Sequence, residues 1–500
     1  MVGAAPGGGE VRVSRRELRE RADAIAAQLL AGGIGRGDVV FWALPNTVDA
    51  VATAAAIWRI GAVSNPVVTI YRQRELAFIL GELRPAATIT AADVRGRALH
   101  AEVDEALALA GHEPSLRLLS DGVAPGWEPL ASAPAPGGLP AGVVPSDPSD
   151  PCLVLYTSGT TAAPKGVIHS SETLLHEART MLSEWGLTWR DTFVMASPLT
   201  HITGVLQGLM LPCMAGARTL LLDRWDPERC VAAIEREGGT YMAGATPFLQ
   251  GVLDAYAALG TERPSLRQFC CGGAAVDPEL IARAERAGIA AHRSWGMTEF
   301  PSASMARPGD PLVRRANTDG LSGEGIEVEA VDELRRPLPA GSEGELRVRG
   351  PERMLGYVDA SLNEGVLDAE GWVYTGDVGR VDAEGWIVVS GRIKDIINRG
   401  GEKFSAREIE ELLARHPDVH EAAVVPVPDE RLGEVPAAAV VPSPGCEVDA
   451  AALAEFLRAQ RLSSPKVPTR FEPIAELPRT PAGKVQKHRV VAWLGGRAAP

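Results

Sequence analysis

Apolar positions recur along this chain with two alternating spacings. After Ser14 the segment LRERADAIAAQLL keeps its apolar residues at helical intervals. Glu17 stands three positions past Ser14, as a capping box requires, and Gly32 and Gly33 stop the run. VVFWAL (39–44) is a continuous apolar stretch of strand length, and Asn46 is placed to cap a second helix whose Ala and Val residues suit close packing on a sheet. The exchange of strand and helix continues through TLLLD, PERCVAAIEREG, TYMAG, QFCCGG and PELIARAERAG. It predicts an α/β fold of parallel-type sheets covered by helices.

From about residue 320 the texture changes to short β-type runs, IEVEAV, GELRVRG and WIVVSG, divided by Gly, Asp and Pro turns. After GRIKD (391–395) a compact α/β pattern follows, with SAREIEELLARH as a helix, EAAVVPVP as a strand and a second helix around AALAEFLRAQRL. The expected division is a large domain over 1–393, its β-rich subdomain at about 320–393, and a small C-terminal domain over 394–500. Residues 121–150, rich in Pro, Gly, Ala and Ser, read as a long loop.

Composition narrows the functional classes. With 500 residues, 45% hydrophobic and 23% charged, the chain has the balance of an ordinary globular protein. A net charge of -14 argues against a general nucleic-acid or anionic-membrane binder, so any phosphate site must be local. MVGAAPGGGE lacks a basic and then apolar leader, and no apolar run reaches the ~18 residues of a membrane helix, so a cytoplasmic location is expected. The six cysteines form no C-x-x-C pair and no H-E-x-x-H occurs, which favours reduced structural thiols over a metal centre.

Candidate chemistry begins at YTSGTTAAPKGV (156–167), behind the apolar strand CLVLY. Gly159 and Gly166 allow close backbone approach, while Thr157, Ser158, Thr160, Thr161 and Lys165 offer hydroxyls, amides and a positive charge. Such a loop suits a polyphosphate. It is not a Walker loop: Pro164 and Gly166 stand where that pattern needs Gly and Ser or Thr.

Six further motifs follow in order: LTHITG (199–204), CGGAAV (271–276), SWGMTE (294–299), YTGD (374–377), GRIKDIINRGGEKFSAREIE (391–410) and PRTPAGK (478–484). With them the chain resembles, over nearly its full length, the adenylate-forming superfamily of acyl-CoA synthetases, nonribosomal adenylation domains and firefly luciferase. The resemblance implies that the loop wraps the β- and γ-phosphates of ATP. It implies that Lys484 bridges acyl carboxylate and α-phosphate, that Glu299 holds Mg²⁺ with Thr298 near the α-phosphate, and that Asp377 and Arg392 take the ribose. Gly273, Ala274 and Ala275 with Ser294, Trp295, Gly296 and Met297 would wall the nucleotide, and His201 would gate the acyl pocket. Ala162 replaces the glycine usual after the two threonines, which stiffens the loop.

Gly400 and Gly401 resemble the glycines that let a pantetheine arm pass, so a thioester-forming second step is expected, with Lys394 as the hinge between the two steps. Coenzyme A is favoured as acceptor over an acyl carrier protein. A degenerate, non-catalytic nucleotide-binding member is the competing class, opposed by the intact Lys484, Glu299 and Asp377. The implied cofactors are ATP, Mg²⁺ and coenzyme A, and the implied partner is a small carboxylic acid, with a homodimer left open. The acyl pocket is expected at Gly204, Val205, Ala243, Gly244, Cys271 and Gly272, with Met297 nearby. Small apolar residues there, with no Asp for an α-ammonium and no Arg for a second carboxylate, point to an apolar, alicyclic or medium-chain acid. The runs GAVSNPVVTIYRQRELAFIL and CGGAAVDPELI are most similar to cyclohexanecarboxylate-CoA ligases.

Overall fold

The computed structural model describes residues 1–4, 9–132, 146–157, 164–261, 264–273, 276–399, 402–429, 431–460, 462–480 and 483–495. Among them, two eight-stranded sheets build the larger part of the molecule. The first runs Phe300–Met305, Ala290–Met297, Gln268–Gly272, Tyr241–Gly244, Thr192–Met195, Arg218–Leu221, Val2–Ala4, Glu10–Arg12. The second runs Gly356–Tyr357, Lys165–Ser170, Pro151–Thr157, Val63–Pro66, Val39–Ala43, Ala87–Thr90, Leu116–Leu119, Glu128–Pro129. Inner strands pair parallel, as the alternation of strand and helix predicts. The edges at Phe300–Met305, Glu10–Arg12 and Gly356–Tyr357 are antiparallel, as is Lys165–Ser170 next to the last of these.

Helix Arg15–Ala31 begins with the capping box foreseen: Glu17 N–H donates to Ser14 Oγ at 3.2 Å and Ser14 N–H to Glu17 Oε2 at 2.6 Å. The second helix, Val48–Arg59, is capped by Thr47 and not by Asn46. Asn46 is buried instead. Its amide donates to Ser197 O at 2.8 Å and Leu222 O at 3.2 Å and accepts from Leu199 N–H at 2.9 Å, satisfying the loops after two strands of the first sheet. Another departure is the Gly/Ala-rich N-terminus, where Val2–Ala4 extends the first sheet by pairing Val2 with Leu220.

Helix Ser171–Glu184 and the helical turns from Ile202 to Ala215 contribute to a core that joins the two sheets: Leu153 and Leu155 from one, Phe193, Tyr241 and Cys270 from the other. A four-stranded antiparallel sheet, Glu327–Val331, Gly344–Arg349, Val373–Val381 and Ile387–Arg392, follows. One 3₁₀ turn, Ile393–Asp395, separates its last strand from Ile396–Arg399, the start of a fourth sheet. In that sheet Val424 packs with Ile409, Leu413, Leu453 and Leu457, while Val425 packs with Val490 and Leu494. Alternate residues of one strand thus enter two cores, and both faces are covered by helices. Among the described residues no helix is long and apolar enough to cross a membrane.

Candidate active site

Three parallel strands of the first sheet end at Gly244, Gly272 and Met297, and a cleft of about 750 Å³, counting its open mouth, lies against those ends. Carboxyl ends of strands are where open α/β sheets take ligands. His201, Ser294, Gly296 and Thr298 line the cleft, and Lys484 enters it from the fourth-sheet region. Lys484 rides on a turn closed by its own backbone: its N–H donates to Thr480 Oγ1 at 3.1 Å and its carbonyl accepts from Thr480 N–H at 2.7 Å. The turn reaches across to the large region, where a Cβ added to Gly273 would lie 3.2 Å from Lys484 Cε and one added to Gly483 would lie 3.5 Å from Ala245 Cβ. Gly273 also has φ +77, so only glycine fits there without strain. Burial lowers the Lys484 ammonium below its usual range, with Arg392 adding to the effect and Asp377 and Glu299 opposing it.

Asp377 and Arg392 face each other across paired strands, Arg392 Nε lying 2.6 Å from Asp377 Oδ1. Trp295 Nε1–H donates to Asp377 Oδ2 at 2.8 Å. Both carboxylate oxygens are thus oriented while each keeps a lone pair for a diol. The Asp377 charge raises the Arg392 pKa still further.

Glu299 and Thr298 sit in the turn between Ala290–Met297 and Phe300–Met305. His169 Nε2–H donates to Thr298 O at 2.7 Å, and burial holds that imidazole down at about 4. Tyr357 donates its hydroxyl to Glu299 Oε1 at 2.7 Å, and its ring lies under the Lys165 ammonium, 5.0 Å from centroid to Nζ. Tyr357 therefore ties the cation of the phosphate loop to the candidate metal carboxylate. A Tyr in MLGYVD carries no local sign of either contact.

Glu299 Oε2 has no hydrogen-bond partner among the described residues, and no cluster of three or more His, Cys, Asp or Glu forms around it. One free carboxylate oxygen beside a nucleotide cleft fits Mg²⁺, which takes one or two carboxylates and completes its shell from phosphates and water. His201 lines the cleft and starts the turn Ile202–Gly204, its Nδ1 accepting from Thr203 N–H at 3.4 Å. Burial, with the Lys484 charge, pushes it down to about 3, so it is neutral at pH 7.

The expected acyl pocket is corrected in part. Ala243, Gly244, Gly272 and Met297 line the cleft, but Gly204, Val205 and Cys271 do not. Cys271 points into the helix-covered core, because strand side chains alternate and it is Cys270 that faces the cleft. Val205 is fully buried beside Leu174 and Trp185, and a Cβ on Gly204 would lie 2.0 Å from Pro198 O. Met181, Ile202, Leu206, Gln207 and Pro301 form wall in their place. Thr157 pairs with Lys165 at the base of the phosphate-loop hairpin. Ser158, Gly159, Thr160, Thr161 and Ala162 at its tip, with Ala274, Ala275, Gly400 and Gly401, lie outside the described residues. Lys394 sits in the 3₁₀ turn between the third and fourth sheets.

A parallel-strand cleft that takes in Lys484 from a second region, with an oriented buried aspartate and a free carboxylate oxygen near it, has the parts an adenylate-forming enzyme needs. The family model for the AMP-binding enzyme matches residues 2–358 and that for the AMP-binding enzyme C-terminal domain matches 408–484. The chain belongs to the AMP-binding enzyme family, and it is an AMP-forming acid–thiol ligase of the kind that uses ATP, Mg²⁺ and coenzyme A. It is 36% identical over 476 residues to a medium-chain fatty-acid–CoA ligase of Escherichia coli (strain K12), covering 94% of this chain and 84% of that one. It is 31% identical to the 3-[(3aS,4S,7aS)-7a-methyl-1,5-dioxo-octahydro-1H-inden-4-yl]propanoyl:CoA ligase of Rhodococcus jostii (strain RHA1), covering 96% and 93%.

The solved structure of ATP-bound MatB from Rhodopseudomonas palustris superposes with TM-score 0.86 at 26% identity, covering 99% of this chain and 95% of that one. The apo form of the same protein gives only 0.73 at the same identity and coverage. Since the sequence compared is the same, this difference is one of arrangement, and the chain has the arrangement nearer the ATP-bound form.

Proposed function

We propose that the chain joins ATP to an apolar carboxylic acid, alicyclic or medium-chain, and passes the acyl group to coenzyme A. An acid carboxylate oxygen attacks the α-phosphorus, the bond to the β-phosphate oxygen breaks, and pyrophosphate leaves. The coenzyme A sulfur then bonds to the acyl carbon and AMP departs. The observation that carries this reading is Lys484 within the cleft opposite His201 and Thr298, under the influence of Asp377 and Glu299. A cation there offsets the charge that builds when carboxylate and α-phosphate meet. In this reading Glu299 holds Mg²⁺, which draws charge from the phosphates, Asp377 and Arg392 fix the ribose, and Thr157 and Lys165 begin and end the phosphate loop. Neutral His201 neither repels Lys484 nor brings a competing charge to the acid.

Met181, Ile202, Leu206, Ala243, Met297 and Pro301 around the cleft support an apolar acyl body, and the two ligases named above, one for medium-chain and one for ring-bearing acids, support the same classes. Loading of an acyl carrier protein is the competing acceptor. The division at Lys394 supports a hinge: Lys394→Pro should harm thioester formation more than adenylation, and equal loss of both steps would count against it. Six free thiols agree with a cytoplasmic setting. A panel of cyclohexanecarboxylate, octanoate, acetate, malonate and an amino acid, with ATP and Mg²⁺ and with or without coenzyme A, tests the whole by mass spectrometry of acyl-AMP and acyl-CoA. Cyclohexanecarboxylate and octanoate should exceed acetate in kcat/KM by well over ~10² at about 0.8 kcal/mol per buried CH₂. Acetate, malonate or an amino acid as the best substrate would overturn the substrate class.

A further inference from the structure

Among the polar groups that line the cleft, one is an amide bonded to a buried tyrosine. Gln207 lies in the π-helical stretch Val205–Met210, buried and lining the cleft. Its Oε1 accepts the Tyr241 hydroxyl proton. Tyr241 is itself fixed, packed at 5.2 Å on the Phe193 ring and at 5.8 Å on Trp185. With Oε1 engaged by Tyr241, the Gln207 NH₂ group lies toward the Cys270 thiol, which also meets Ser294 Oγ at 3.3 Å. Among the described residues that NH₂ meets no oxygen acceptor, only this sulfur, a weak one. The hydroxyls of Ser197, Thr203, Ser294 and Ser302 around the cleft differ, because each can rotate to give or accept.

A donor so oriented beside the apolar part of the cleft is satisfied by water only until an acid fills the space. A hydrocarbon body then leaves an N–H buried without a partner, whereas a body bearing a ketone, ether or hydroxyl oxygen restores the bond. We propose that Gln207 is a specificity residue and that the preferred acids carry an acceptor oxygen on an otherwise apolar ring or chain. This rests on the adenylating, acid-activating reading above and deepens it. The π-helical turn supports the assignment: with Val205 turned into the core, Leu206 and Gln207 both reach the cleft, one giving apolar wall and the other the donor.

The test compares cyclohexanecarboxylate with its 3-oxo and 4-oxo derivatives, reading pyrophosphate release with ATP and Mg²⁺ and, in parallel, thioester formation by mass spectrometry. Wild-type enzyme should favour the better oxo acid by about 10-fold or more in kcat/KM. Gln207→Leu removes the donor and should abolish that preference. Gln207→Met, which fills the space and has no donor, should also abolish it, which covers the case of a leucine variant that does not fold. A wild-type ratio near one, or a ratio unchanged in a folded variant, overturns the inference. Pyrophosphate release without thioester would instead remove the coenzyme A reading and leave the Gln207 ratio readable. No turnover of the three acids while octanoate is turned over overturns the inference alone, and no turnover of octanoate either overturns the reading it rests on.

Discussion

The two halves of the active site are held in opposite ways. On the large region Asp377 is fixed through side chains, by Trp295 on one oxygen and Arg392 on the other, and Glu299 is fixed by Tyr357. The Lys484 turn is fixed through its own backbone on Thr480, and its side chain reaches the cleft because two regions dock. Asp377 and Glu299 are thus held by side chains of the large region, while Lys484 comes to the cleft on a backbone-closed turn of the small region. This docked arrangement matches ATP-bound MatB at 0.86 and apo MatB at 0.73, with identity unchanged.

The largest expected effect breaks the delivered half. Lys484→Ala should lower acid-dependent pyrophosphate release by something on the order of 10² or more. ATP affinity, measured by equilibrium binding, should change little, because the side chains holding Asp377 and Glu299 are untouched. Near-normal adenylation by the variant would mean that Lys484 is a bystander.

A smaller effect sharpens the preorganised half. Tyr357→Phe keeps the ring under Lys165 but removes the hydroxyl bond to Glu299, so the carboxylate is held but no longer aimed. Apparent Mg²⁺ affinity, read from Mg²⁺-dependent ATP binding, should fall about 10-fold, with kcat at saturating Mg²⁺ recovering in part. An unchanged Mg²⁺ titration would show that Tyr357 only fills space.

The smallest effects are on stability. Glu177 and Glu352 are both buried, none of their four carboxyl oxygens has a hydrogen-bond partner among the described residues, and each bears on the other's charge. Burial first, then the charge of Glu177, raises Glu352 well above the carboxylate range. A raised folded pKa gives stability that is present at acid pH and lost as pH rises above about 4.5. Glu352→Gln should therefore raise stability at pH 8 by about 1–3 kcal/mol, with the gain shrinking toward pH 4, as read by denaturant unfolding. Equal gain at both pH values would show that the Glu352 carboxyl does not take up a proton on folding. Buried neutral His169, His201 and His292, held down at about 4, 3 and 3, act in the other direction. Their contribution is complete above pH 6.5 and is lost as pH falls toward those values.

Local sequence determined what local physics could decide. The capping box at Ser14, the strand–helix alternation and the glycine-bounded motifs are written in neighbouring residues, and the structure has the helix, the sheets and the cleft beside those motifs. Tertiary structure decided what depends on facing. Asn46 spans to Ser197 and Leu222 instead of capping, Cys270 and not Cys271 faces the cleft, and Val205 turns into the core while Gln207 enters the site. Each choice turns on which side of a strand or helix a residue occupies once the second sheet is in place. Tyr357, 58 positions from Glu299, shows why the chain order alone is silent: their bond exists because two edge strands of different sheets meet, and no spacing encodes that meeting.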